Sequence, residues 1–281
     1  MANKSLRRRL EAGLAPSLKA ALPAPLQWPF RMLWRLTNRV LNEWSDVALY
    51  LSLAWYRLLG RPYIKWYADT LDRWAAAGRD EDCVKWRRAH LADSGQEDLA
   101  ILVAAGMKPH HTLHEFGVGQ LRSAKWFIQY LDKGNFSGND SSRERIKNGT
   151  DIFGPEIEPK APTLIVNEDN TFDWLNGKKV DYIWCHAVIG HMPKQDVEDL
   201  IRDVRKIMHK DTVFLFTHDE PDHLPPGWTH ARMDSRNFWY SLAFFRDLAT
   251  KYGYAVDNVT ELLDDKPSFR SYFRLAKLML K

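Results

Sequence analysis

From about residue 95 onward, short apolar runs alternate with longer stretches of helical period. Thr112 and Leu113 lead into a short strand. Leu121, Ala124, Ile128 and Leu131, widened by Phe127, then recur at helical spacing. The segment 136–140 reads as a second strand, 143–162 as a polar helix and Pro-rich connection, and Thr163 to Val166 as a third strand. Val180 to Cys185 is mostly apolar, the pattern of a strand covered on both faces. Val197, Leu200, Ile201, Val204, Ile207 and Met208 form one helical stripe, and Val213 to Phe216 a fifth strand. Ser241 is placed to cap a helix carrying Leu242, Phe245, Leu248 and Tyr252, which Gly253 ends. Late strands near 254–259 and 271–278 fit a reversed hairpin at one edge. Strands alternating with helices predict an α/β fold, a mostly parallel sheet with helices on both sides.

Upstream, Leu33, Leu36, Val40, Trp44, Val47 and Leu51 step at helical intervals until Gly60-Arg61-Pro62. Trp66, Thr70, Trp74 and Ala77 continue a helical face, Asp80 or Asp82 can cap a helix bearing Val84 and Trp86, and Gln96 to Ala105 is a further helix. The chain therefore divides into a basic, aromatic-rich helical extension, 1–90, and an α/β domain, 91–281.

Composition narrows the classes. Of 281 residues, 45% are hydrophobic and 27% charged, an ordinary globular balance able to bury a full core. The two cysteines, Cys83 and Cys185, form no metal-spaced pair, which suits a reducing, cytoplasmic setting and predicts no metal site. The longest charge-free apolar stretch, Val47 to Tyr56, has ten residues, about half of the ~20 a membrane span needs.

Charge changes the picture of the extension. Lys4, Arg7, Arg8, Arg9, Lys19, Arg31, Arg35 and Arg39 stand against Glu11 alone in residues 1–40, a net +7. The whole chain carries +4, so the other 241 residues sum to −3, and general nucleic-acid binding is not expected. Three readings of the extension stay open: an apolar face packed on the domain, a surface for anionic lipid through residues 1–60, and a lid over a substrate pocket. An Arg-rich, acid-poor leader is a fourth.

The chemistry concentrates in His114-Glu115-Phe116-Gly117-Val118-Gly119-Gln120-Leu121-Arg122. Two glycines let the backbone bend and approach a ligand where a Cβ would hinder it, and a helix N-terminus follows. Glu115, at the strand tip, can accept from an ammonium or hydroxyl. Arg122 stands where a dinucleotide fingerprint requires its third glycine, which disfavours an NAD(P)-dependent oxidoreductase. Asp140, 25 residues after Glu115, ends the second strand, where an acid can bind ribose hydroxyls or simply start a turn. Glu168 and Asp169 leave the third strand, His186 and Ala187 the fourth, with His191 beyond, and His218 and Asp219 the fifth. The run His218 to His223 could hold a divalent metal, although a solvated acidic loop is the simpler reading.

Glu115 to Gly119 resembles motif I of the class I S-adenosylmethionine (SAM) dependent methyltransferases, with Gln120 and Leu121 where the family has its third glycine. Leu121-Arg122-Ser123-Ala124, Tyr130-Leu131, the Gly134 to Asp140 segment, and Asp181-Tyr182-Ile183-Trp184 with Val188, His191 and Pro193 resemble one bacterial subgroup, over roughly residues 95–280. The resemblance implies a Rossmann-like seven-stranded sheet with a reversed last strand, and SAM as methyl donor. It implies Glu115 facing the methionine ammonium region through its neighbours or water, Gly117, Val118 and Gly119 along methionine and ribose, and Asp140 on the ribose hydroxyls. Glu168 or Asp169 would lie near adenine, and His186 and Ala187 would border the cofactor. His191, His218 and Asp219 are then the candidates for a base. The expected activity is methyl transfer, at oxygen, to a small-molecule, glycan or lipid-linked acceptor. The competing expectation is a non-catalytic SAM-fold module held at a membrane surface by its N-terminal helices.

Overall fold

The computed structural model describes residues 51–76, 94–168, 171–220, 230–232, 237–266, 269 and 273–281. The chain divides into two compact units, 1–59 and 60–281. In the first, residues 51–58 are helical, with Leu51, Trp55, Leu58 and Leu59 exposed.

The second unit opens with α1 (Tyr63–Ala76) and α2 (Ser94–Ala104) and then alternates: β1 (Leu113–Phe116), α3 (Ala124–Tyr130), β2 (Phe136–Asp140), α4 (Arg143–Ile157), β3 (Thr163–Val166), β4 (Val180–Cys185), α5 (Lys194–Asp203), β5 (Met208–Asp219). A small hairpin of β6 (His230–Arg232) and β7 (Asn237–Trp239) precedes α6 (Leu242–Tyr252), β8 (Tyr254–Asn258) and β9 (Phe273–Leu280). Seven strands form one sheet in the order β3-β2-β1-β4-β5-β9-β8. The first five pair in parallel, and β9 runs antiparallel to both β5 and β8. This is the Rossmann-like sheet with a reversed last strand.

Side-chain alternation explains why both faces carry helices. On β4, Ile183 and Cys185 join the core formed with Val197, Leu200 and Phe245, whereas Trp184 joins Leu113, Phe127 and Ile128 on the other face. Each such fully buried side chain contributes on the order of 1.5–3 kcal/mol. Register places the carboxyl ends of β1 to β5 along one edge of the sheet, so every loop singled out in the sequence emerges there.

Three elements depart from expectation. Helix α3 begins at Ala124, not at Leu121, because Leu121 has a left-handed φ of 62°. Strand β5 extends over Met208–Asp219, taking up Met208 from the expected helical stripe, which closes in a 3₁₀ turn at Val204–Ile207. The β6–β7 hairpin was not foreseen. Among the described residues, no helix is long and apolar enough to cross a membrane. Most of the expected helix 29–59 and the one bearing Val84 and Trp86 lie outside the described residues.

Candidate functional site

The glycine turn is fastened to the end of β2. The Gly117 and Val118 amides donate to the Asn139 carbonyl at 2.8 and 3.0 Å, and the Gly119 amide donates to Asp140 Oδ2 at 2.8 Å. Gly117 has φ 86° and lies so close to Val188 that a Cβ would sit 2.3 Å from Cγ2. Gly149 of α4 presses on the turn from outside: a Cβ there would meet the Gln120 carbonyl at 2.7 Å. The missing third glycine is absorbed by Leu121, which adopts the left-handed conformation at a cost of roughly 1–2 kcal/mol while being fully buried.

The carboxylates have distinct surroundings. Glu115 is buried beneath the turn, and its Oε2 has no hydrogen-bond partner. Burial, with Asp98 and Asp140 nearby, pushes its carboxyl well above the usual range. Asp140 is also buried; besides Gly119, the Ser142 amide donates to its Oδ1 at 2.8 Å. A carboxylate oxygen can accept more than one bond, so both oxygens retain capacity for a ligand hydroxyl. Glu168 is half-exposed and accepts from Lys65 Nζ of α1 at 3.0 Å through each oxygen. Asp169 lies outside the described residues, as do residues 221–223 of the acidic loop.

After β4, the His186 ring stacks on Phe269 at 4.4 Å, and Ala187 has φ 55° with its amide donating to Thr217 Oγ1. His186 opens onto a buried network that neither spacing nor motif signals. Fully buried Asp98 of α2 accepts from Arg122 Nη2 at 2.7 Å, Nη1 at 3.3 Å, Ser123 Oγ at 2.5 Å and Trp184 Nε1 at 3.2 Å. His186 Nδ1 lies 2.9 Å from the same carboxylate and 2.7 Å from Arg122 Nη2. Arg122 and His186 hold the Asp98 carboxyl well below its ordinary value despite burial. The available signal was slight, since Asp98 follows Glu97 in the polar first half of a helix whose second half is apolar.

In the loop after β4, His191 is half-buried and stacks on Tyr67 of α1 at 5.8 Å. The Asp219 carboxylate is buried against Gly190. His218 differs: it shares the face of Phe214 and Phe216, packs on Phe245 at 4.9 Å, and donates from Nδ1 to the Tyr240 carbonyl at 2.7 Å. Its Nε2 has no partner, and burial lowers its pKa to about 4. Helix α1 lies across these loops. Besides Lys65 and Tyr67, its Tyr63 meets Phe238 edge-on at 5.9 Å, and its Asp72 accepts from Ser142 Oγ at 2.5 Å.

Sheet order, reversed last strand and glycine turn together define the class I SAM-dependent methyltransferase fold, and solved structures share it. The DhpI–SAH complex is 17% identical, with a TM-score of 0.52 over 77% of this chain and 97% of that one. Magnesium protoporphyrin IX methyltransferase (ChlM) from Synechocystis PCC 6803 with bound SAM is 14% identical, with a TM-score of 0.53 and coverage of 76% and 97%. The glycopeptide N-methyltransferase MtfA complexed with SAM is 12% identical, with a TM-score of 0.53 and coverage of 67% and 94%. No protein-family model and no curated protein sequence matches the chain.

Proposed function

We propose that this chain transfers a methyl group from SAM to an oxygen of a small-molecule, glycan or lipid-linked acceptor. The observation that carries the reading is Glu115, a buried carboxyl with an unpartnered oxygen beneath a glycine turn. A buried polar atom without a partner is costly, and a cationic ligand group there removes the cost. Asp140 would hold the ribose hydroxyls, Gly117, Val118 and Gly119 would line the ligand, Glu168 and Asp169 would lie toward adenine, and His186 and Ala187 would border it. When bound, SAM supplies an electrophilic methyl group on a sulfonium. The protein aligns the acceptor and takes its proton.

His191 is the base we favour, with Asp219 packed on the neighbouring Gly190, because it is only partly buried at the strand ends. His218, enclosed by Phe216 and Phe245, is a lesser candidate. Helix α1 closes the crevice and lends Tyr63 and Tyr67 as an aromatic wall for the acceptor. The names of the solved neighbours favour this reading, since ChlM and MtfA are methyltransferases solved with SAM and MtfA acts on a glycopeptide, though at nitrogen. Mass spectrometry of metabolite and lipid extracts after incubation with isotopically labelled SAM identifies acceptor and atom. Titration calorimetry with S-adenosylhomocysteine (SAH) and with NADH tests the cofactor. Absence of SAH binding by the wild type, or undiminished binding by Asp140→Ala, overturns the reading.

A second reading, that the extension 1–90 holds a cytoplasmic protein to an anionic membrane surface, is favoured by one stripe. Leu51, Trp55, Leu58 and Leu59 fall on one face of the helix at 51–58 and are exposed, and residues 1–40 bring a net +7. Flotation with phosphatidylserine vesicles should lose the protein on Trp55→Glu/Leu58→Glu; equal flotation removes this reading.

A further inference from the structure

Helix α1 touches both halves of the site, and does so through opposite faces. Lys65 and Asp72 are seven residues apart, two helical turns or roughly 10 Å, and share one side; Tyr63 and Tyr67, one turn apart, share the other. The first side meets the segments that leave β2 and β3. Asp72 Oδ1 accepts from Ser142 Oγ at 2.5 Å and from the Glu144 amide at 3.3 Å. Ser142 is fully buried and serves two acids at once: its hydroxyl donates to Asp72, and its amide donates to Asp140 Oδ1 at 2.8 Å. Lys65, which also pairs with Asp69 at 3.2 Å, holds Glu168. That surface pair is weak, so Asp72 is the main anchor. The second side meets the loop after β4 and strand β7, where Tyr67 lies on the His191 ring and Tyr63 on Phe238. Trp66, Ala68 and Leu71 are buried, so the helix is seated firmly.

A rod of this kind cannot shift at Asp72 and stay still at Tyr67. We propose that α1 couples cofactor to base: an adenosyl ligand on Asp140 and Glu168 fixes α1 through Asp72 and Lys65, and α1 so fixed orients His191 through Tyr67. The proposal rests on the cofactor reading above. The coupling follows from linkage. Asp140 accepts ribose hydroxyls best when Ser142 holds it still, and Ser142 is in turn held by Asp72. If α1 in place tightens the ligand, the ligand favours α1 in place by the same factor. The Tyr67–His191 stack forms only with α1 in place. The base is therefore aligned once the cofactor is bound, and the acceptor meets a complete site second. Asp72, Lys65 and Tyr67 are positioning residues, acting through Ser142, Glu168 and His191.

Hydrogen exchange and nuclear magnetic resonance, with SAH as the probe, test this. In the wild type, saturating SAH should slow amide exchange across α1 by about fivefold or more, the lower end of coupling between sites. It should also shift the His191 ring resonance, assigned by its loss in His191→Gln. Asp72→Ala/Lys65→Met should weaken SAH by the same factor of about fivefold or more, and at saturation neither effect should remain. Tyr67→Ala acts at the other end. It should leave SAH affinity within about threefold and α1 protected, yet abolish the His191 response, which Tyr67→Phe restores by keeping the ring. Circular dichroism checks the fold of each variant. A His191 shift that persists in Tyr67→Ala, or α1 protection that persists in the double variant, overturns the proposal. So does a wild type that binds SAH without protecting α1. Should the double variant lose SAH binding altogether, the Tyr67 pair decides. A wild type that binds no SAH overturns the cofactor reading instead, and is recognised before any substitution.

Discussion

Gly149→Ala separates helix propensity from packing at the glycine turn. In an exposed helix interior the change stabilises by about 1 kcal/mol, because alanine restricts the unfolded chain and suits the helix. At position 149 the new methyl would lie 2.6 Å from Leu121 Cγ and 2.7 Å from both the carbonyl carbon and oxygen of Gln120. Two of those three atoms are backbone, held in a turn that Gly119 fastens to Asp140. No rotamer change clears them, so α4 must shift or the turn must deform. Overpacking of this kind costs about 1–3 kcal/mol, and against backbone the upper half of that range applies. The net expectation is a loss of about 1–2 kcal/mol, or about 2–8 °C in Tm for a unit of this size. SAH affinity should fall with it, since Gln120 directly follows Gly119, whose amide is fastened to Asp140. Urea unfolding followed by circular dichroism gives the first quantity and calorimetry the second. A Gly149→Ala protein more stable than wild type with unchanged affinity would refute the packing argument.

Gly117→Ala offers the contrast, because its methyl would meet a side chain, Val188 Cγ2 at 2.3 Å. Gly117→Ala alone should cost about 2–4 kcal/mol, of which Val188→Ala restores all but the left-handed strain of about 1–2 kcal/mol; a coupling near zero in the double-mutant cycle contradicts the clash. His114, buried and donating from Nε2 to Asn139 Oδ1, has its pKa lowered to about 4 from 6.5, as His218 does. Histidines lowered on folding stabilise fully above the unfolded value and lose that contribution as pH falls from about 6.5 toward 4. Each contributes up to roughly 3 kcal/mol of slope, which His114→Gln should flatten in urea titrations across that window. Glu115 has the opposite shift, with Asp98, Arg122, Asp140 and Cys185 as its charged or titratable surroundings. Its proton must leave before an ammonium can be held, so SAH affinity should rise as pH climbs above the ordinary carboxylate range; the same rise in Glu115→Gln would place the titrating group elsewhere.

The parts legible in the sequence were those that depend on local pattern. Val180 to Cys185 could be assigned to a doubly covered strand because the run is mostly apolar, and Asp140 to a strand end because it follows Glu115 by the 25 residues of a βαβ unit. What escaped depends on contacts between distant segments. Leu121 reads as a helical position by spacing, yet the turn needs a left-handed residue, and burying a leucine there offsets the strain that glycine would have avoided. Asp98 reads as one polar residue in a helix; only folding brings Arg122, Trp184 and His186 onto it.

His218 shows how a rule about strand ends must be joined to one about strand faces. The crevice rule brings β5 to the right edge of the sheet, but period-two alternation decides which way each side chain points. Phe214, Phe216 and His218 share one face and pack toward Phe245, whereas Thr217 turns to the Ala187 amide beside the turn. The alternation Phe-x-Phe-x-His was present in the sequence and already carried this information. Applied to β1, the same parity separates His114, packed between Phe172 and Trp174, from Glu115 on the face of Arg122 and Asp98. Which acid or histidine can meet a ligand is therefore set twice: by how near the strand end it lies, and by whether its position is odd or even.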